Sequence, residues 1–358
     1  MIVNKFEEFF FPHDNKKEHF KALDGLRGVA VLFVLFSHSS NANIFIHEFL
    51  NFQKIGKVGV YLFFMLSAYL LDRQIAQAFL KNKATKKYWR NYLLRRFLRI
   101  YPLFFIALIS YGLLTLLGFK TVIDNINDVP EHLFLQKGES VFWSIPVEFK
   151  YYFISPLIMW FCHKYLSWDK FKIIILFSGI IIITVLIEWF FKLPFISTFK
   201  YFPIFMIGTL ISIYELLYQE KFLKSIKSWI YNFVGIISVS LILITIPYYF
   251  KIMFGFSMNF HNSIFYLPYA LAWGFLLLSV KYGDSLITAI FEAKILRFIG
   301  TISFSMYLFH MPFLYFVKSA NIYSELEIYL FFFLTIIFSS LSYVVIERPL
   351  SKIRLKNN

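Results

Sequence analysis

Long runs of Phe, Ile, Leu and Val, separated by short polar intervals, dominate the chain. A helix needs about 20 mostly apolar residues to cross the hydrocarbon core of a bilayer. Ten stretches meet that description, at 25–42, 55–72, 97–117, 141–162, 171–191, 201–218, 229–250, 262–280, 298–317 and 327–346. The second is short and followed by Asp72-Arg73, and the sixth contains Pro203 and Glu215. The longest polar intervals run from Leu71 to Arg96 and from Gly118 to Ser140, with no internal repeat, low-complexity linker or second soluble domain. The pattern predicts an all-α fold: a polytopic membrane helix bundle of about ten transmembrane helices, one domain over residues 1–358.

Composition closes off the alternatives. Hydrophobic residues make up 59% of the 358 positions and charged residues 16%, with 48 Phe, against roughly 45–50% and about 25% in a soluble domain. A water-facing globule of this size has too much surface for that apolar content, so a soluble enzyme is excluded. Disordered chains are poor in the same residues and are excluded with it. Met1 to Lys21 carries Glu7, Glu8, Asp14 and Glu18 and no long apolar core, so no cleaved signal peptide is expected. Cys162 is the single cysteine and can close no internal disulfide.

The net charge of +15 would point to nucleic acid in a soluble protein. Here its position matters more than its sum. In a ten-span topology, 26 Lys and Arg fall on one side and 8 on the other, with Arg27 and Lys150 inside spans. The positive-inside rule then puts both termini in the cytoplasm, as an N-terminal segment 1–21 and a tail 347–358. The excess charge is expected to lie against anionic membrane lipid, with no nucleic-acid partner. Trp89, Trp168 and Trp229 fall near inner span ends, and Trp143 and Trp189 near outer ones, where interfacial belts form.

Ionisable groups inside a bilayer are costly unless paired or hydrated, which makes each a functional candidate. They are Arg27, His38, Glu148, Lys150, Glu188 and His310, with Asp24 and Asp72 at inner edges. Arg27 and His38 are eleven residues apart, which places them roughly 20° from a common helix face and about 16 Å apart along the axis. Counting helical rise from the span ends brings His38, Glu148 and His310 to a comparable level in the outer half of the membrane. A carboxylate beside an imidazole raises its basicity and fixes its tautomer, as a general base requires. Pro146 is expected to break the fourth helix where backbone lines a cavity. Arg95, Arg96 and Arg99 enter the third span at i, i+1 and i+4, and arginine forks suit phosphate; Lys81 to Lys87 read as a membrane anchor. The structural alternatives are that Arg27 snorkels to headgroups, that His38 only packs, and that the carboxylate and histidines form a buried pair fixing helix register.

These stretches together resemble acyltransferase family 3, the integral membrane O-acyltransferases. The match runs through Leu23-Asp24-Gly25-Leu26-Arg27-Gly28 to His38, then Gly59 to Tyr69, Arg95 to Pro102, Trp143-Ser144 to Glu148, and Ser303 to His310-Met311-Pro312. It covers nearly the whole chain in the family's order. Ala68 departs from it, standing where the family often has Gly after the motif serine. The sequence shows no C-terminal soluble hydrolase-like domain, so the single-domain form of the family is expected.

The resemblance implies a membrane acyltransferase in a bacterial-type inner membrane. It would move an acyl group, commonly acetyl from cytoplasmic acetyl-CoA, to a hydroxyl of an envelope polysaccharide or lipid-linked glycan. His38 carries over as the essential histidine, Arg27 as its motif partner, Glu148 as the motif carboxylate, and Arg95, Arg96 and Arg99 as the acyl-CoA contact. Asp24 is a candidate for proton relay or an N-cap. His310, Ser144 and Trp143 are candidates on the acceptor side, and no metal is expected. Two readings of other classes remain open: a transporter or flippase of a glycolipid, and a scaffold subunit of an envelope-assembly complex.

Overall fold

The computed structural model describes residues 9–11, 20–258, 260, 263–283, 285–320 and 322–353, and every regular element among them is a helix. Most of the expected N-terminal segment 1–21, and the end of the expected tail 347–358, lie outside the described residues. The principal helices are α1 (Ala22–Asn41), α2 (Gly56–Leu80), α3 (Lys86–Leu116), α4 (Ser144–Lys164), α5 (Lys170–Phe191), α6 (Phe202–Tyr214) and α7 (Ser228–Ile244). They continue with α8 (Pro247–Phe254), α9 (Tyr266–Tyr282), α10 (Ser285–Glu292), α11 (Lys294–Thr301), α12 (Ser303–Ser319) and α13 (Ser324–Ser342).

Local chemistry sets several boundaries. The Thr85 hydroxyl accepts from the Tyr88 amide at 3.3 Å and starts α3, and the Asp169 carboxylate does the same for α5 from the Lys172 amide at 2.9 Å. The basic run that the sequence left in an interval is thus the first third of α3, a single helix that continues through Pro102. Pro146 does not break α4. It sits in the first turn, where its missing N–H costs nothing.

Seven helical stretches among the described residues are long and apolar enough to cross a membrane, or eight if the bent pair α7 and α8 counts as one. The expected ten therefore stand as fewer. The seventh stretch is bent by 90°, because Ile246 precedes Pro247 and is extended, with ψ 122°. The ninth is divided at Ile302 into α11 and the 17-residue α12. The fourth is long enough, but Glu148, Lys150 and its Tyr, Ser and Pro residues dilute its apolar character.

The core is built by helix backbones in direct contact. A Cβ added to Gly25 would lie 1.8 Å from the Phe291 carbonyl oxygen, one on Gly28 2.2 Å from that of Leu296, and one on Gly300 1.8 Å from that of Asp24. The glycines of the Leu23 to Gly28 motif are therefore the seam on which α10 and α11 cross α1. Small residues permit such approaches in membranes, where packing replaces the hydrophobic effect between helices. Gly59 and Gly208 make similar contacts, to Ala30 and Met65, and lock α1, α2 and α6 together. Ala68 is fully buried. Outward faces are apolar, as at Phe190 and Phe191, which are 73% and 78% exposed at the end of α5.

The tryptophans divide. Trp189 and Trp229 are exposed, as interfacial residues should be. Trp143 and Trp168 are buried: Trp143 packs against Phe64, Phe195 and Tyr201, and the Trp168 indole donates to His163 at 3.2 Å.

Candidate active site

Among the described residues, two cavities hold most of the candidate residues, which divide between them. The larger, of about 500 Å³, is lined by Arg27, Arg95, Arg96 and Arg99 together with Asp24, Glu148 and Glu347. The smaller, of about 320 Å³, is lined by His38, Ser37, Asn41, Trp143 and Lys57. Val60 and Tyr307 line both, so they form the wall where the two cavities meet.

In the larger cavity two of the carboxylates are held by hydroxyls. Glu148 Oε1 accepts from Ser67 at 2.5 Å and Tyr152 at 2.6 Å. The serine of the Gly59 to Tyr69 stretch thus grips the carboxylate of the Trp143 to Glu148 stretch. Glu347, on the wide helical turn that extends α13, accepts from Ser305, whose oxygen lies 2.9 Å from Ser342. Arg96 lies over the rings of Tyr92 and Tyr152, with centroid distances of 5.9 and 5.5 Å. Its buried Nε has no hydrogen-bond partner among the described residues. Arg95 Nε donates to the Asn91 carbonyl at 3.2 Å. Asp24 stands in the first turn of α1, and the N-cap position is Lys21.

His38 lines the smaller cavity, and the ring of His310, which lines neither cavity, lies with its centroid 5.1 Å from that of His38. His310 is fully buried. Its Nδ1 is 2.9 Å from the Tyr307 carbonyl and 3.1 Å from that of Met306, both acceptors, so Nδ1 carries the proton. Nε2 is then an unprotonated lone pair with no partner among the described residues. Ser144 donates to the Tyr307 hydroxyl at 2.9 Å in the shared wall.

The structure brings together His38, His310 and Trp143 on one side, and Arg27, Arg95, Arg96, Arg99, Asp24 and Glu148 on the other, with Ser144 at the wall. Glu148 does not join the histidines: its hydroxyl partners turn it toward the arginines. Lys150 lines neither cavity. Glu188 pairs with Lys200 at 2.7 Å and accepts from the Leu193 amide at 2.8 Å, fixing the end of α5. Asp72 is a fully buried tie between α2, α4 and α6, accepting from Ser155, Thr209 and, at 2.7 Å, Tyr151. Glu215 does comparable work, bound by Tyr69 at 2.7 Å, Arg73 at 3.1 Å and Lys281 at 2.7 Å.

Sequence reasoning missed Glu347, which it assigned to the tail. The available signal was a carboxylate directly after an apolar stretch, in Ile346-Glu347-Arg348-Pro349.

A family model for an acyltransferase domain, that of acyltransferase family 3, matches residues 20–347. Among curated proteins, the chain is 26% identical over 380 residues to "Putative O-acetyltransferase" of Staphylococcus aureus strain COL, covering 97% of this chain and 59% of that protein. It is 24% identical over 361 residues to O-acetyltransferase OatA of Staphylococcus aureus strain NCTC 8325 / PS 47, covering 92% of this chain and 57% of that protein. The chain therefore spans somewhat more than half the length of these relatives. No solved structure matches it significantly.

Proposed function

The chain belongs to acyltransferase family 3, and on that premise we propose that this multi-pass membrane protein transfers an acyl group, most simply acetyl from acetyl-CoA, to a hydroxyl of an envelope glycan. The observation that carries the proposal is the pair of cavities meeting at Val60 and Tyr307, one lined by four arginines and the other by His38, whose ring lies beside that of His310. The phosphates of the donor bind Arg95, Arg96 and Arg99, and Arg27 receives the arm that carries the thioester toward the shared wall. The unengaged Nε of Arg96 supports this assignment, since a buried guanidinium N–H without an acceptor calls for an anion.

The acceptor enters the smaller cavity. His38 removes the proton of the acceptor hydroxyl as its oxygen attacks the thioester carbonyl. The carbon–sulfur bond breaks, the acyl group passes to the hydroxyl oxygen, and the imidazolium returns its proton to the departing thiolate. A variant in which His38 first carries the acyl group uses the same atoms. With no carboxylate on His38 among the described residues, the neighbouring group able to orient it is His310, whose Nε2 lone pair can accept an N–H. The arginine cavity then faces the cytoplasm and the histidine cavity the opposite side of a bacterial-type inner membrane, with both termini cytoplasmic.

Purified full-length chain in nanodiscs, supplied with radiolabelled acetyl-CoA and an envelope glycan extract, should label the glycan and release free CoA. Absence of label together with retained glycan movement across proteoliposomes would support the transporter reading instead.

A further inference from the structure

We propose that the acceptor is an anionic glycan, recognised by Lys54 and Lys57 at the mouth of the histidine cavity; this deepens the transfer reading and rests on it. Both lysines line that cavity with His38. Among the described residues neither forms an ion pair, whereas several other charges on the same end of the bundle do. Glu188 is taken by Lys200 at 2.7 Å, and Glu139 and Asp128 by Lys137 at 2.9 and 2.8 Å. Among the residues that line the cavity there is no Asp or Glu to offset the two lysines.

The positions of the lysines are built. Lys54 adopts a left-handed backbone, with φ +63°, which a residue with a side chain rarely occupies without a reason. It is held there by bonds from its loop to the end of α1, the helix that carries His38. Asn41 Oδ1 accepts from the Lys54 amide at 3.1 Å, Ser40 Oγ from the Phe52 amide at 3.0 Å, and the Ser40 carbonyl from the Gln53 side chain at 3.0 Å. Lys57 is steadied over the Phe195 ring, 4.6 Å from its centroid, and that ring packs against Trp143 at 4.7 Å. Ser140, on the opposite rim, is likewise left-handed, with φ +44°.

The cavity therefore offers an indole and a phenyl ring for the apolar faces of a sugar, two ammonium groups for its charge, and an imidazole for its hydroxyl. A neutral glycan would leave two lysines at the mouth without a function. The shared chemistry is an anion, borne either as a carboxylate on a uronic acid or as a phosphate on a sugar or its lipid carrier.

Equilibrium binding to the purified full chain in nanodiscs of uncharged lipid tests this without requiring turnover. The probes are fluorescent trigalacturonic acid, its carboxyl-reduced neutral counterpart, and a phosphorylated neutral trisaccharide. At least one anionic probe should bind about tenfold tighter than the neutral one, with the advantage falling as salt rises. Whether the carboxylate or the phosphate probe wins identifies the source of the charge. K54Q/K57Q should abolish the advantage, and K54R/K57R should keep it, which separates charge recognition from loss of fold. Equal binding of all three probes, or an advantage unchanged in K54Q/K57Q, overturns the proposal. A preparation that prefers the anion yet transfers no acetyl defeats the transfer reading alone, and one that transfers acetyl with no charge preference defeats the anionic-acceptor proposal alone.

Discussion

The two cavities solve opposite electrostatic problems with neighbouring parts of the same helices. The larger concentrates charge: four arginines face carboxylates that are themselves fixed by Ser67, Tyr152 and Ser305. The smaller is lined by a single imidazole, that of His38 with His310 packed beside it, and its cations wait at the rim. A charged cavity binds a charged donor strongly but would stabilise the wrong protonation state of a base. In the proposed reaction, separating the histidines from the carboxylates would let one protein bind a polyanion and still present a base that no carboxylate occupies.

That contrast predicts a separation of kinetic effects. H38A should lower kcat by about 10²–10⁴-fold while leaving donor KM nearly unchanged, because in the proposed reaction it removes the proton acceptor and no donor contact. Steady-state kinetics with labelled acetyl-CoA measures both, and a large KM change would erase the distinction between the cavities. R99A should do the reverse, raising donor KM by about ten- to a hundredfold with a smaller effect on kcat.

G300A acts on both cavities at once. Its Cβ would sit 1.8 Å from the Asp24 carbonyl oxygen, and the forced separation of α1 from α11 should cost about 1–3 kcal/mol or more of stability. Thermal unfolding in detergent reads this as a lowered midpoint, accompanied by loss of both donor and acceptor binding.

The smallest effect lies outside both cavities. His132, in the loop before α4, has its pKa held below the usual 6.5 by burial, against a partial upward pull from Glu139 at 3.6 Å. A base whose folded pKa is depressed takes up more protons when unfolded. The loop should therefore be unaffected by pH above about 6.5 and lose stability as pH falls below it. Hydrogen exchange over residues 119–140 should quicken at pH 5.5, and H132Q should flatten that response.

Much of this was legible in the sequence. Hydropathy located the helices, and the Arg27 to His38 interval, the arginine cluster and His310 were all visible as ionisable groups in apolar surroundings. Depth put His38 and His310 at one level, and their rings do lie side by side. Glu148 shows where that logic stops. Helical rise fixes how deep a residue lies but not which neighbour it faces, and Ser67 and Tyr152 lie in parts of the chain that periodicity cannot align. The broken stretches were hidden for a related reason: hydropathy adds residues across Ile246-Pro247 and Ile302 without registering a turn. The loop that presents Lys54 was read only as polar, because its left-handed geometry depends on the Asn41 and Ser40 side chains reaching across from α1.

The seam between Gly25, Gly28 and Gly300 also sets a timetable. Arg27 and His38 are synthesised early, yet the backbone that holds their helix in place is not made until residue 300 leaves the ribosome. At about 5–20 residues per second, α1 waits in the membrane for on the order of half a minute without its partner. Biogenesis of the site is therefore a late event, and a polypeptide released before α11 would carry Arg27 and His38 but never assemble the two cavities around them.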